Sequence, residues 1–156
     1  MDEDDKLNEE QFRRVWQRVM PQDRPESPIA LDPPRRERLL EDTRREARIC
    51  RDLARRWPGE GLFRRLAEDY ERQEKRLRAA HFLNTGRPWR PAPEELPPPA
   101  ALPLALRDRY RACRAGAEAL ERAAGETRDP HLSRLYRDIQ KERLRMAEAI
   151  LRRLGG

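Results

Sequence analysis

Two stretches of helical periodicity flank a proline-rich segment, and that arrangement restricts the fold more than any other feature of the chain. The segment RPWRPAPEELPPPAALP, residues 87–103, holds seven of the chain's 14 prolines. Proline lacks a backbone donor and breaks helices and inner strands, so this segment can only be a connection. On either side, apolar residues recur every three or four positions, which is the signature of amphipathic helices. The first hairpin spans about Asp32 to Gly86 and the second about Pro103 to Gly155. The pattern predicts an all-α protein, an up-down four-helix bundle of two hairpins joined by a long proline-rich crossover.

The punctuation agrees with that reading. Asp32-Pro33 and Asp129-Pro130 each place an N-capping residue before a proline at the first helical position. Pro58-Gly59 separates the first two bundle helices, Gly86 ends the second, and Gly155 closes the fourth. The inward seam of the first bundle helix reads Leu39/Leu40, Thr43, Glu46/Ala47, Cys50, Leu53/Ala54 and Trp57. The second reads Phe63, Leu66/Ala67, Tyr70, Gln73/Glu74, Leu77 and Ala80/His81. The third reads Leu106, Tyr110, Cys113, Ala117, Leu120 and Ala124. The fourth reads Leu132, Leu135/Tyr136, Ile139, Glu142, Met146 and Ala149/Ile150. Ahead of the bundle, residues 1–31 are predicted to hold an acidic tail, a short amphipathic helix over Glu9–Met20, and a linker. That helix carries Phe12, Val15, Trp16, Val19 and Met20 on one face, a surface for docking, for a homodimer or for a protein partner.

Charge and cysteine content narrow the function classes. The chain has 35 basic and 29 acidic residues, a net charge of +6, and only Lys6, Lys75 and Lys141 among its lysines. A basic chain invites a nucleic-acid reading. The charges are interleaved along the helices, however, as in ERQEKRLR and QKERLRM, which favours solvated faces with local ion pairs and makes nucleic acid the lesser reading. The start, MDEDD, is acidic rather than apolar, and no apolar run approaches the roughly 20 residues of a membrane span. Cys50 and Cys113 offer no zinc spacing and read as small core residues in a reduced, cytoplasmic protein, with a redox pair as the sharper alternative.

The stretches EARICRDLARRWPG, RLAEDYERQEKRLRAAHFLNTG and AAGETRDPHLSRLYRDIQKERLRMAEAIL resemble the rubrerythrin branch of the ferritin-like superfamily, over about residues 37–154. The resemblance implies a ferritin-like four-helix bundle in a bacterial, cytoplasmic protein, with a two-iron or two-manganese carboxylate site at its centre. Carried over residue by residue, the first-helix glutamate falls on Thr43, with Cys50 at the following aromatic place. The first Glu-x-x-His falls on Tyr70 and Gln73. The third-helix glutamate falls on Cys113, with Leu120 at the aromatic place, and the last Glu-x-x-His falls on Glu142 and Arg145. No Glu-x-x-His exists anywhere, because Arg78 precedes His81 and Arg128 precedes His131 at that spacing.

On this register one ligand of six survives. The expectation is therefore a degenerate site in which a buried Arg145 and Glu142 form an internal ion pair in place of metal. The chain then serves as a non-catalytic structural or interaction module. The alternative is an iron- or manganese-binding oxidoreductase with a divergent site using Glu46, Glu74, Glu142 and Cys113. His81 is expected as a packed boundary residue and His131 as an exposed one.

Overall fold

A computed structural model describes residues 28–155. Contacts set Asp32–Gly156 apart as one compact unit. Four helices occur among the described residues, with no strand: α1 (Pro28–Arg56), α2 (Gly61–Thr85), α3 (Leu102–Glu126) and α4 (Pro130–Gly155). No described helix is long and apolar enough to cross a membrane. The amphipathic helix expected over Glu9–Met20 lies outside the described residues.

Most boundaries fall at the expected punctuation. Gly86 adopts a left-handed φ of 75°, and its N–H bonds to the Phe82 carbonyl at 2.8 Å, a closure that a side chain with a Cβ would strain. Asp129 caps α4, accepting hydrogen bonds from the N–H groups of His131 (2.9 Å) and Leu132 (3.4 Å). Pro103 lies in the first turn of α3. Two ends differ from expectation. α1 begins at Pro28 rather than at Asp32-Pro33, since Pro28 supplies the same preset φ five residues earlier. Gly155 is the last residue of α4 rather than a residue beyond it.

The crossover runs alongside α1. Trp89 is 7% exposed and joins an apolar cluster with Leu39 and Leu40, while the Arg78 guanidinium lies over its ring at 4.9 Å. Further on, the Glu94 carboxylate accepts a bond from Arg45 Nε at 2.6 Å, and its carbonyl accepts one from Arg48 at 3.3 Å. Pro97, Pro98 and Pro99 then flank Ile49, Asp52 and Leu53. The crossover thus returns the chain to the end of the bundle where α1 finishes and α3 begins. Ion pairs tie both ends: Arg35 with Glu126 at one, Arg153 with Glu60 at 2.8 Å at the other.

The buried apolar side chains fall into two clusters. One holds Leu40, Leu77, Trp89, Leu120, Tyr136 and Ile139; the other holds Ala47, Phe63, Tyr70, Cys113, Met146 and Ile150. Each fully buried leucine, isoleucine, phenylalanine or methionine among them contributes about 1.5–3 kcal/mol by leaving water. On every helix, the position between the two clusters is something other than a large apolar residue: Thr43 on α1, Gln73 on α2, Gly116 on α3 and Arg143 on α4.

Candidate functional site

The level between the clusters is the chemically distinctive part of the interior. Arg143 is 3% exposed, although guanidinium groups are almost never fully buried unless paired. Its Nε donates to Gln73 Oε1 at 2.6 Å, and its Nη2 donates to Thr43 Oγ1 at 2.8 Å. The guanidinium carbon lies 4.9 Å from the centroid of the Tyr70 ring, within cation–π range. One side chain from α4 therefore engages α1 and α2 at once. Gly116 supplies the room on α3: a Cβ there would collide with Arg143 Nη1.

The partners are themselves committed. The Thr43 hydroxyl donates to the Leu39 carbonyl at 2.6 Å, which leaves its lone pair for Arg143. The Gln73 amide turns its oxygen to Arg143 and its nitrogen to Glu142 Oε1 at 3.0 Å, with Met146 Sδ at 3.5 Å. Glu142 is partly exposed and also faces Arg76 at 3.6 Å. The buried cation is thus answered by a carboxylate at one remove, through an amide. This arrangement avoids the desolvation of a second charge.

Tyr70 and Cys113 form the neighbouring contact, 3.2 Å between hydroxyl and Sγ, with either atom able to donate. Burial pushes the Tyr70 phenol well above its ordinary value, and the nearby Cys113 adds to the effect. Burial likewise raises the Cys113 thiol, against the opposing Tyr70 hydrogen bond. Cys50 is raised as well, first by burial and then by Glu46. All three groups are held in their protonated forms. Reactive cysteines need the opposite environment, an electropositive and partly exposed one that lowers the thiol pKa.

Of the six positions taken from the family pattern, four converge here: Thr43, Tyr70, Gln73 and Cys113. Of the two on α4, Glu142 reaches the centre only through Gln73, and Arg145 does not reach it. Arg145 is exposed, and the inward residues are Arg143 and Met146, one position beyond Glu142 and Arg145. The expected buried pair of Arg145 with Glu142 is replaced by Arg143 bonded to neutral groups. The reason is angular. Positions 142 and 143 both lie three or four residues from Ile139 and Met146, and packing against Gly116 selects 143. Sequence reasoning missed Arg143. The available signal was a glycine beside Ala117 on the α3 seam, which leaves space for a long side chain opposite.

The fallback carboxylates do not gather. Glu46 pairs with Arg109, and Glu74 pairs with Arg78 at 2.9 Å and Arg44 at 3.6 Å. Among the described residues, no three His, Cys, Asp or Glu side chains come close enough together to hold a metal ion. His81 is buried at the end of α2, and His131 is exposed.

Fold and centre together define an all-helical bundle whose middle is crosslinked by a guanidinium. Comparison of the chain with models of protein families, with curated proteins and with solved structures finds no match in any of the three.

Proposed function

We propose that this chain is a ferritin-like bundle of the rubrerythrin type in which an arginine takes the place of a metal pair, and that it acts as a non-catalytic structural or interaction module. The observation that carries this reading is the Arg143 guanidinium at the centre, bonded to Thr43 and Gln73 and stacked on Tyr70. Two divalent ions would need carboxylates to balance about four positive charges, with imidazoles to complete their shells. The inward groups here are a hydroxyl, an amide, a protonated phenol, a protonated thiol and a thioether, set around a positive charge. That donor set suits a guanidinium and does not suit iron or manganese. With the metal role lost, the remaining function is contact. The N-terminal face of Phe12, Trp16 and Val19 is the sequence feature fitted to a second copy or another protein.

The test is metal content by mass spectrometry, on protein purified without chelator and again after anaerobic iron(II) loading. The expected result is no stoichiometric metal in either sample, and a melting temperature indifferent to chelator. Two metals per chain would establish the divergent oxidoreductase instead. Removing residues 1–27 is expected to change the oligomeric state or abolish partner capture, and an unchanged outcome in both would remove the interaction role.

A further inference from the structure

The cations of this chain are unevenly matched, and four of the unmatched ones line up on one helix. Several arginines on α1 and α2 meet carboxylates, Arg51 with Glu71 at 2.7 Å, Arg78 with Glu74 at 2.9 Å, and Arg76 with Asp138 at 3.4 Å, while Arg38, Arg56 and Arg65 are exposed and in no ion pair among the described residues. α4 is different. It carries seven basic side chains against three acidic ones. Arg134, Arg137, Lys141 and Arg145 are all exposed, and none makes an ion pair among the described residues. The acids nearest to them in sequence are already engaged, Asp138 by Arg76, Glu142 by Gln73 and Arg76. Glu148 faces Arg152 at 3.6 Å, so the uncompensated stretch ends there.

Spacings of three, four and four residues put these four cations on one stripe of α4, opposite its buried face of Tyr136, Ile139, Arg143 and Ala147. We propose that this stripe binds the phosphate backbone of double-stranded nucleic acid without reading its sequence. Four cations cover about 16 Å of helix, the axial length of about five phosphates on one strand. Three of the four are arginine, whose planar fork matches phosphate oxygens in pairs. A protein partner would want an aromatic or aliphatic anchor at the centre of its contact, and the exposed positions from 134 to 145 are all basic, with Leu144 half-buried at the edge of the stripe. A membrane surface would want the apolar face of the helix, and that face is buried in the bundle. The stripe also has no aromatic ring for stacking unpaired bases, which favours a duplex over a single strand. Charges of both signs occur along α4 as well, but Asp138 and Glu142 are engaged by Arg76, which leaves the stripe itself cationic.

Fluorescence anisotropy of a short labelled duplex with the full chain tests this, between about 50 and 200 mM salt. The expected log–log salt slope is about −3.6 for four phosphate contacts. Lys141→Gln should lower its magnitude by about 0.9, while Lys141→Arg keeps it. Arg137→Glu with Lys141→Glu is expected to abolish binding, with the circular dichroism spectrum and melting temperature of the parent. Arg64→Glu, on α2, is expected to leave binding unchanged. No binding at the lowest salt, or a slope that the reversal leaves intact, would overturn the proposal. Tighter binding to polyglutamate or to phosphatidylserine vesicles at equal ionic strength would overturn it as well, in favour of an acidic protein or a membrane.

Discussion

The middle level of the bundle and the two apolar clusters beside it solve the same packing problem by different means. In the clusters, side chains such as Leu40, Leu77, Leu120 and Ile139 fill space, and their stabilisation scales with area. They need only the right size and the right face. At the level of Thr43, Gln73, Gly116 and Arg143, space is filled by one long side chain whose charge must also be satisfied. Here each partner has a single acceptable orientation, and removing one leaves another unsatisfied. Apolar packing tolerates repacking, whereas a hydrogen-bonded charge demands complete sets of partners.

Removing an acceptor from the middle level should therefore cost more than removing the charge. Gln73→Leu leaves Arg143 Nε buried without its acceptor and is expected to destabilise the protein by about 1.5–3 kcal/mol in urea unfolding. In an Arg143→Met background the same change should cost less than about 1 kcal/mol, because no buried donor remains to be satisfied. Equal costs in the two backgrounds would place the middle level in the same class as the clusters.

A smaller effect separates the polar centre from the end of the bundle near His81. Burial, and then the nearby Arg36, lower the pKa of His81 from its ordinary 6.5. The unfolded chain takes up that proton near pH 6.5 and the folded chain resists it, so the unfolded state binds more protons as the solution is acidified. The stability from a neutral His81 is present above pH 6.5 and declines as the pH falls below it. Thermal melts of the parent should drop over that interval more steeply than those of His81→Gln. Parallel curves would show that His81 has no part in the acid sensitivity.

The same contrast governs what the sequence reveals. The clusters were legible, because Leu, Ile and Ala repeat at helical spacing and proline or glycine marks the breaks. Gly86, Asp129 and Pro103 stand where their backbone chemistry requires. The start of α1 was less legible, since Pro28 and Pro33 are both suited to a first helical position. Trp89 was hidden in a segment that composition marks only as a connection. The polar centre was half legible. Thr43, Tyr70, Gln73 and Cys113 come from the family pattern, and the structure brings them together. Arg143 was not legible, because it sits beside Glu142 and both residues satisfy the spacing from Ile139 to Met146. Hydropathy does not distinguish two adjacent charges. What distinguishes them is a missing side chain across the bundle, at Gly116.

Gly116 accordingly gives the most direct test of the central claim that the guanidinium of Arg143 fills the middle of the bundle. Glycine inside a helix normally costs about 0.5–1 kcal/mol relative to alanine, so Gly116→Ala should stabilise the protein if nothing stands opposite. With Arg143 in place, the added Cβ must displace a hydrogen-bonded guanidinium, and the account expects a net loss of about 1 kcal/mol or more. The measurement is thermal or urea unfolding of Gly116→Ala in the parent and in Arg143→Met. The expected result is a change of sign, destabilising in the first and stabilising in the second. Stabilisation of both proteins to the same extent would contradict the account and put the Arg143 guanidinium somewhere other than the centre.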